Sequence, residues 1–155
     1  MKLDRNLLAA GVAAACTWLG SSEALAAAEH TVTISAQVTG KCKFNTSSST
    51  IVLTIDPAAS TTITAPGSMT YRCTRGTTPT FTHASASTGS GSGGQLRAGT
   101  EGFAYSYSNS GSAVGGGMGS GQDRTHTIVV TVDQALAANV TPTTYSDTIV
   151  ISVNP

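Results

Sequence analysis

From Thr31 to Val38 apolar and polar residues alternate without a break. Val32, Ile34, Ala36 and Val38 fall on one face and Thr31, Thr33, Ser35 and Gln37 on the other. This period of two predicts a β-strand with one buried face. Strand-forming runs recur at Ile51–Ile55, Ser68–Thr74, Thr78–His83, Phe103–Tyr107, Thr125–Val132 and Tyr145–Val153, divided by Gly, Pro, Asp and Ser. The last two are the strongest. Ile128, Val130 and Val132 alternate in one, and Tyr145, Asp147, Ile149, Ile151 and Val153 share a face in the other, so both are expected to line the core. Helical pattern is confined to Asp133–Asn139, where an Asp cap precedes one or two turns inside a connection between strands.

Seven short strands rich in β-branched residues predict an all-β fold, an antiparallel sandwich of the immunoglobulin kind, with a barrel as the alternative. Two glycine- and serine-rich stretches, Thr88–Gly94 and Ser110–Gly121, read as long mobile loops around Phe103, Tyr105 and Tyr107. Gly89–Gly94 satisfies the spacing G-x-G-x-x-G. No helix pattern follows to supply the amides that hold a phosphate, so nucleotide binding is not expected.

Composition narrows the partners. The 155 residues carry eight basic and eight acidic side chains and no cluster of either sign, which removes the electrostatic footprint of nucleic-acid binding or of anchoring to anionic lipid. At the N-terminus Lys2 and Arg5 precede a largely apolar stretch from Leu7 to Leu19, too short to span a bilayer, and small residues at Ala24 and Ala26 flank Leu25. The pattern is that of a secretory signal peptide over residues 1–26, with cleavage after Ala26 and Ala28 as a second option. Ala13–Cys16 offers a weaker lipoprotein-like box that lacks the usual Leu three residues before the cysteine. Removing Lys2, Arg5, Asp4 and Glu23 leaves six basic and six acidic groups, so the exported chain is also neutral.

Export leaves two cysteines, Cys42 and Cys73, in an oxidising compartment, where they are expected to form one disulfide. A redox or metal-binding role would call for CxxC spacing or nearby His ligands, and neither is present. His30, His83 and His126 have no metal-site spacing. His126, in register with Ile128, is expected to cap the edge of the core. The acids Glu29, Asp56, Glu101, Asp123, Asp133 and Asp147 are scattered, and no nucleophile elbow or paired-carboxylate pattern occurs, so neither catalysis nor a cofactor is expected. Tyr71, Tyr105, Tyr107 and Tyr145 suit core packing better than sugar stacking, and the one tryptophan, Trp18, leaves with the signal.

Four stretches carry a resemblance: Val38-Thr39-Gly40-Lys41-Cys42, Leu53-Thr54-Ile55-Asp56-Pro57, Met69-Thr70-Tyr71-Arg72-Cys73, and the terminal Tyr145-Ser146-Asp147-Thr148-Ile149-Val150-Ile151-Ser152-Val153. Their order resembles the spore coat protein U domain, shared with subunits of archaic chaperone–usher pili, over nearly all of the exported chain. The terminal stretch is the most specific. In place of the glycine that often precedes it in that family stand Thr143 and Thr144, and the middle of the chain is richer in Gly and Ser.

The resemblance implies an incomplete immunoglobulin-like domain over residues 39–155 that lacks its last strand and is completed by donor-strand complementation. The groove would run beside the terminal strand, lined by Tyr145, Ile149, Ile151 and Val153. The extension 27–38 would be the donor, with Val32, Ile34, Ala36 and Val38 as plugs. Its partners would be identical or related pilus subunits, a periplasmic chaperone and an outer-membrane usher. Its route would run through the periplasm to a surface fimbrium serving adhesion or biofilm formation. One domain with an extension fits a shaft or adaptor subunit better than a tip adhesin. An apolar final strand with no partner sequence after it agrees, since such an edge requires cover. The alternative is a self-contained secreted coat or matrix protein in which Thr31–Val38 completes its own sheet.

Overall fold

In a computed structural model, which describes residues 29–155, the chain forms two antiparallel sheets. The strands are β1 (Cys42–Phe44), β2 (Thr62–Cys73), β3 (Thr80–Ser85), β4 (Gly89–Ser90), β5 (Gly93–Ala98), β6 (Glu101–Ser110), β7 (Arg124–Asp133) and β8 (Ile149–Asn154). One sheet has five strands in the order β1-β2-β7-β6-β5, and the other has three in the order β4-β3-β8. A 3-10 turn, Gln134–Ala137, follows β7. It begins at Asp133, whose side chain accepts from the amide of Ala135, as the Asp cap predicts.

Several expected strands are moved or absent. Residues 31–38 belong to no strand, and their side chains are exposed. Residues 29–36 belong to a unit separate from residues 37–155 and have no regular secondary structure. Ile51–Ile55 is no strand either, although its burial alternates. The expected strand at Ser68 begins six residues earlier, at Thr62. Its inward positions Ile63, Ala65, Gly67 and Met69 continue the alternation into Tyr71 and Cys73, but small residues and Pro66 mask the pattern. Pro66 is tolerated because β1 covers only Tyr71–Cys73, which leaves the rest of that edge without a partner that needs an N–H. Thr88–Gly94 is not one long loop: it contains β4 and opens β5. The terminal strand starts at Ile149 rather than Tyr145, whereas Gly111–Gly121 stays outside any strand.

Burial divides unevenly between the sheets. Tyr71, Phe103, Tyr105, Tyr107, Ile128, Val130 and Val132, all from the five-stranded sheet, are buried. On the small sheet Phe81, His83, Ile149, Ile151 and Val153 are only half-buried, and Ser85 is its one buried residue. Three strands facing five leave part of the inner surface of β6 and β7 without a sheet above it.

Cys42 and Cys73 are joined by a disulfide and pair directly across β1 and β2. β1 has three residues on one neighbour, so the covalent link supplies what its short ladder does not. Closing a loop over a separation of 31 residues is worth about 3.5–4 kcal/mol in the chain-entropy account. Urea unfolding of the reduced protein, or of Cys42→Ser/Cys73→Ser, is expected to show a loss of that size.

Candidate functional site

β8 alternates half-buried Ile149, Ile151 and Val153 with exposed Val150, Ser152 and Asn154, so one face meets the core. One of its edges pairs with β3, from Ser85↔Ile149 to Thr80↔Asn154. Among the described residues, the other edge has no strand beside it. Across from it lies the segment 46–55. Ile51, Leu53 and Ile55 pack against the core and the residues between them face solvent. This segment is extended like a strand but makes no backbone hydrogen bond among the described residues. It is held at its ends. The Asn45 amide donates to the Thr70 carbonyl at 2.9 Å and Asn45 Nδ2 to Asp123 Oδ1 at 2.6 Å; at the far end the Asp56 amide donates to Gln134 Oε1 at 2.9 Å. Between these ties Ile51 sits over Gly67 of β2, where a Cβ would lie 2.6 Å from its Cδ1.

Between the free edge of β8 and this segment runs a groove of about 1080 Å³. Phe103, Tyr105, Ile128 and Val130 of the large sheet line its floor, Leu53 and Ile55 one wall, and Tyr145, Ile149 and Ile151 the other. Ala137 and Val140, in and just after the 3-10 turn, line it as well. Of the terminal residues expected to face a groove, Val153 is not in its lining; it pairs with Phe81. The expected plugs are exposed: Val32 at 70%, Ile34 at 89% and Val38 at 83%, with Ala36 exposed too.

Polar side chains fix the corner that carries the chain into β8. Tyr145 Oη lies 2.8 Å from Glu101 Oε2, and the same carboxylate accepts from the amide of Thr141 at 2.8 Å. Those two contacts, the amide's first, hold the Glu101 carboxyl below its ordinary range. Ser146 then exchanges two backbone hydrogen bonds of 3.0 Å with Arg97 on the edge of β5. Next, Asp147 Oδ2 accepts from Ser85 Oγ at 2.6 Å, Ser87 Oγ at 2.7 Å and Tyr105 Oη at 2.7 Å, while Oδ1 accepts from the Thr148 amide at 2.8 Å. Residues 145–147 thus lean on the large sheet before β8 joins the small one.

Burial works to raise the Asp147 carboxyl, but the hydroxyls and the Thr148 amide outweigh it and hold it below its ordinary value of 3.8. Tyr105, desolvated and donating to that carboxylate, is pushed up to about 12. Gly94 makes room for the cluster: a Cβ there would lie 2.5 Å from Ser85 Oγ and 2.6 Å from both Asp147 Oδ2 and Tyr105 Oη. Ser85, Ser87 and Tyr105 do not stand out in the sequence as partners of Asp147. The signal that points to them is an acid on the apolar face of a strand, which requires donors nearby.

His126, expected at the edge of the core, is fully enclosed at 1% exposure. Tyr71, Tyr105 and Tyr107 are buried and Tyr145 lines the groove. Among the described residues, no group of three or more His, Cys, Asp and Glu stands together as metal ligands would. The signal-peptide and lipoprotein readings lie outside the described residues. No family model, no curated protein and no solved structure matches the chain.

Removing the Asp147 side chain leaves three hydroxyls without their shared charged acceptor. Asp147→Ala is expected to cost about 2–3 kcal/mol in urea unfolding at pH 7. Because the folded state lowers this pKa, the stabilisation is present above pH 3.8 and is lost as pH falls through the lower folded value. The gap between variant and wild type should therefore close in strong acid.

Proposed function

We propose that this chain is a structural subunit of an extracellular fibre, exported by a signal peptide over residues 1–26 and completed by a strand from another chain. The observation that carries this reading is the apolar groove along the unpaired edge of β8. In it the two sheets form an immunoglobulin-like sandwich short of one strand. A strand laid in the groove gains a backbone ladder from the free edge of β8 and faces, on its other side, the unpaired extended segment 46–55. Its alternate side chains enter an apolar floor.

Residues 31–38 have the form such an occupant needs. Eight extended residues reach about 27 Å at roughly 3.4 Å each, enough to run the length of the six-residue β8. The plugs are Val32, Ile34, Ala36 and Val38, supplied by the next subunit. Burial of a Val or Ile plug is worth about 1.5–3 kcal/mol, so two or three of them outweigh much of the cost of ordering the segment. A periplasmic chaperone holds the groove before assembly, and an outer-membrane usher exports the product to the cell surface, where the fibre serves adhesion or biofilm formation. In this reading the corner at Tyr145–Asp147 keeps β8 in place while its neighbour changes.

The test uses residues 39–155 with a synthetic peptide covering residues 29–40. The peptide is expected to bind and raise the melting temperature, and Ile34→Asp in the peptide to weaken binding by about tenfold or more. The exported chain with residues 27–38 intact should form multimers resistant to heat, and the same chain without them should not. A full-length monomer that unfolds when residues 27–38 are deleted would overturn this reading in favour of the self-contained coat protein.

A further inference from the structure

Away from the groove the two sheets meet at a second polar contact, between imidazoles. His83 of β3 and His126 of β7 face each other with their Nε2 atoms 3.1 Å apart and ring planes 24° from parallel. His126 Nδ1 lies 3.0 Å from the carbonyl oxygen of Gly111. Phe81, two residues before His83 on β3, stacks on the His126 ring at 3.8 Å between centroids, and Tyr71 meets Phe81 edge-on.

This geometry assigns the protons. A carbonyl oxygen only accepts, so neutral His126 carries its hydrogen on Nδ1 and presents a bare Nε2 to its neighbour. His83 must then donate from its own Nε2. A proton added to His83 would place a cation in a half-buried site between the sheets. Among the described residues, the surrounding groups give such a charge no counterion. Tyr107 of β6 has its ring 5.9 Å from His83, Ile151 is the ladder partner of His83 on β8, and Met69 is that of His126 on β2. Arg124, two residues before His126 on β7, is itself a cation and donates to the Val114 carbonyl. Asp147, reached from β3 through Ser85, is already bound by three hydroxyls.

We propose that the His83–His126 contact is an acid-weakened latch between the two sheets, strongest while His83 is neutral and destabilised when that ring takes up a proton in its half-buried site. Because β3 carries β8, weakening the latch loosens one of the ties between the wall of the groove and the large sheet, while the corner at residues 145–147 still holds; the latch itself does not depend on what the groove holds. Burial, and then the neighbouring His126, lower His83 from its ordinary value of 6.5. A lowered folded value gives stability that is full above pH 6.5 and lost as pH falls below it. The Asp147 cluster weakens only under pH 3.8, so the two effects occupy separate windows.

The test is urea unfolding of the exported, disulfide-bonded chain at pH 7.5 and 5.5, followed by tyrosine circular dichroism. The folding equilibrium constant is expected to fall by up to about tenfold, from the one proton that His83 excludes in the folded state. His83→Gln, which offers His126 the same donor without a titrating ring, should reduce that fall. On the wild type, imidazole nitrogen NMR at pH 7.5 should show hydrogen on Nδ1 of His126 and on Nε2 of His83, a readout independent of how the variant folds. Equal stability at the two pH values, an undiminished fall in His83→Gln, or hydrogen on Nε2 of His126 would each overturn the proposal.

Discussion

A sheet of three strands cannot cover a sheet of five, and the rest of this structure depends on that mismatch. Phe103, Tyr105, Ile128 and Val130 pack a continuous apolar surface on β6 and β7, while the small sheet reaches over only part of it. The remainder is covered on one side by Ile51, Leu53 and Ile55, seated without a backbone ladder. What is left is the groove. Apolar surface open to water favours any segment able to bury it, and a free strand edge favours one that brings its own backbone. The architecture therefore has a place for a strand that the sheets in residues 37–155 do not supply.

Such an opening demands that its walls be fixed by other means. The corner at residues 145–147 does this with polar contacts: Tyr145 against Glu101, Ser146 on the edge of β5, and Asp147 gathering hydroxyls from Ser85, Ser87 and Tyr105. Gln134 and Asn45 do the same for the ends of the segment opposite. Hydrophobic burial alone would let either wall slide toward the other. Directional bonds to charged or buried partners hold them apart, each worth more than its share of area because breaking one strands its partner. The imidazole pair performs a related service between the sheets.

The sequence is most readable where a strand's own side chains fill the core. β6 and β7 alternate large apolar residues with small polar ones, and both are found within a few residues of their expected limits. β5 is hidden because Gly93 and Gly94 open it, the second kept small by the hydroxyl cluster. The first half of β2 is hidden because Gly67 leaves its place to Ile51, a long-range exchange of volume that local pattern cannot report. Residues 31–38 and 51–55 fail in an instructive way. The first alternates strictly, the second is broken only by exposed Val52, and neither is a strand. Alternation encodes a face to be buried, whereas a strand also needs a neighbour to share hydrogen bonds. The lining of the groove by Tyr145, Ile149 and Ile151 follows from their shared face; the hydroxyl partners of Asp147 come from three other strands and turns, brought together only by the fold.

The free edge of β8 is decisive, and amide hydrogen exchange on residues 27–155 at high dilution probes it most directly. Amides of β7, between two neighbours, should be strongly protected. Those of β8 that point away from β3 should exchange rapidly, together with residues 50–55, and should become protected once a strand fills the groove. Protection of every β8 amide in the dilute, unassembled chain would mean that the edge is already filled, and would contradict the account.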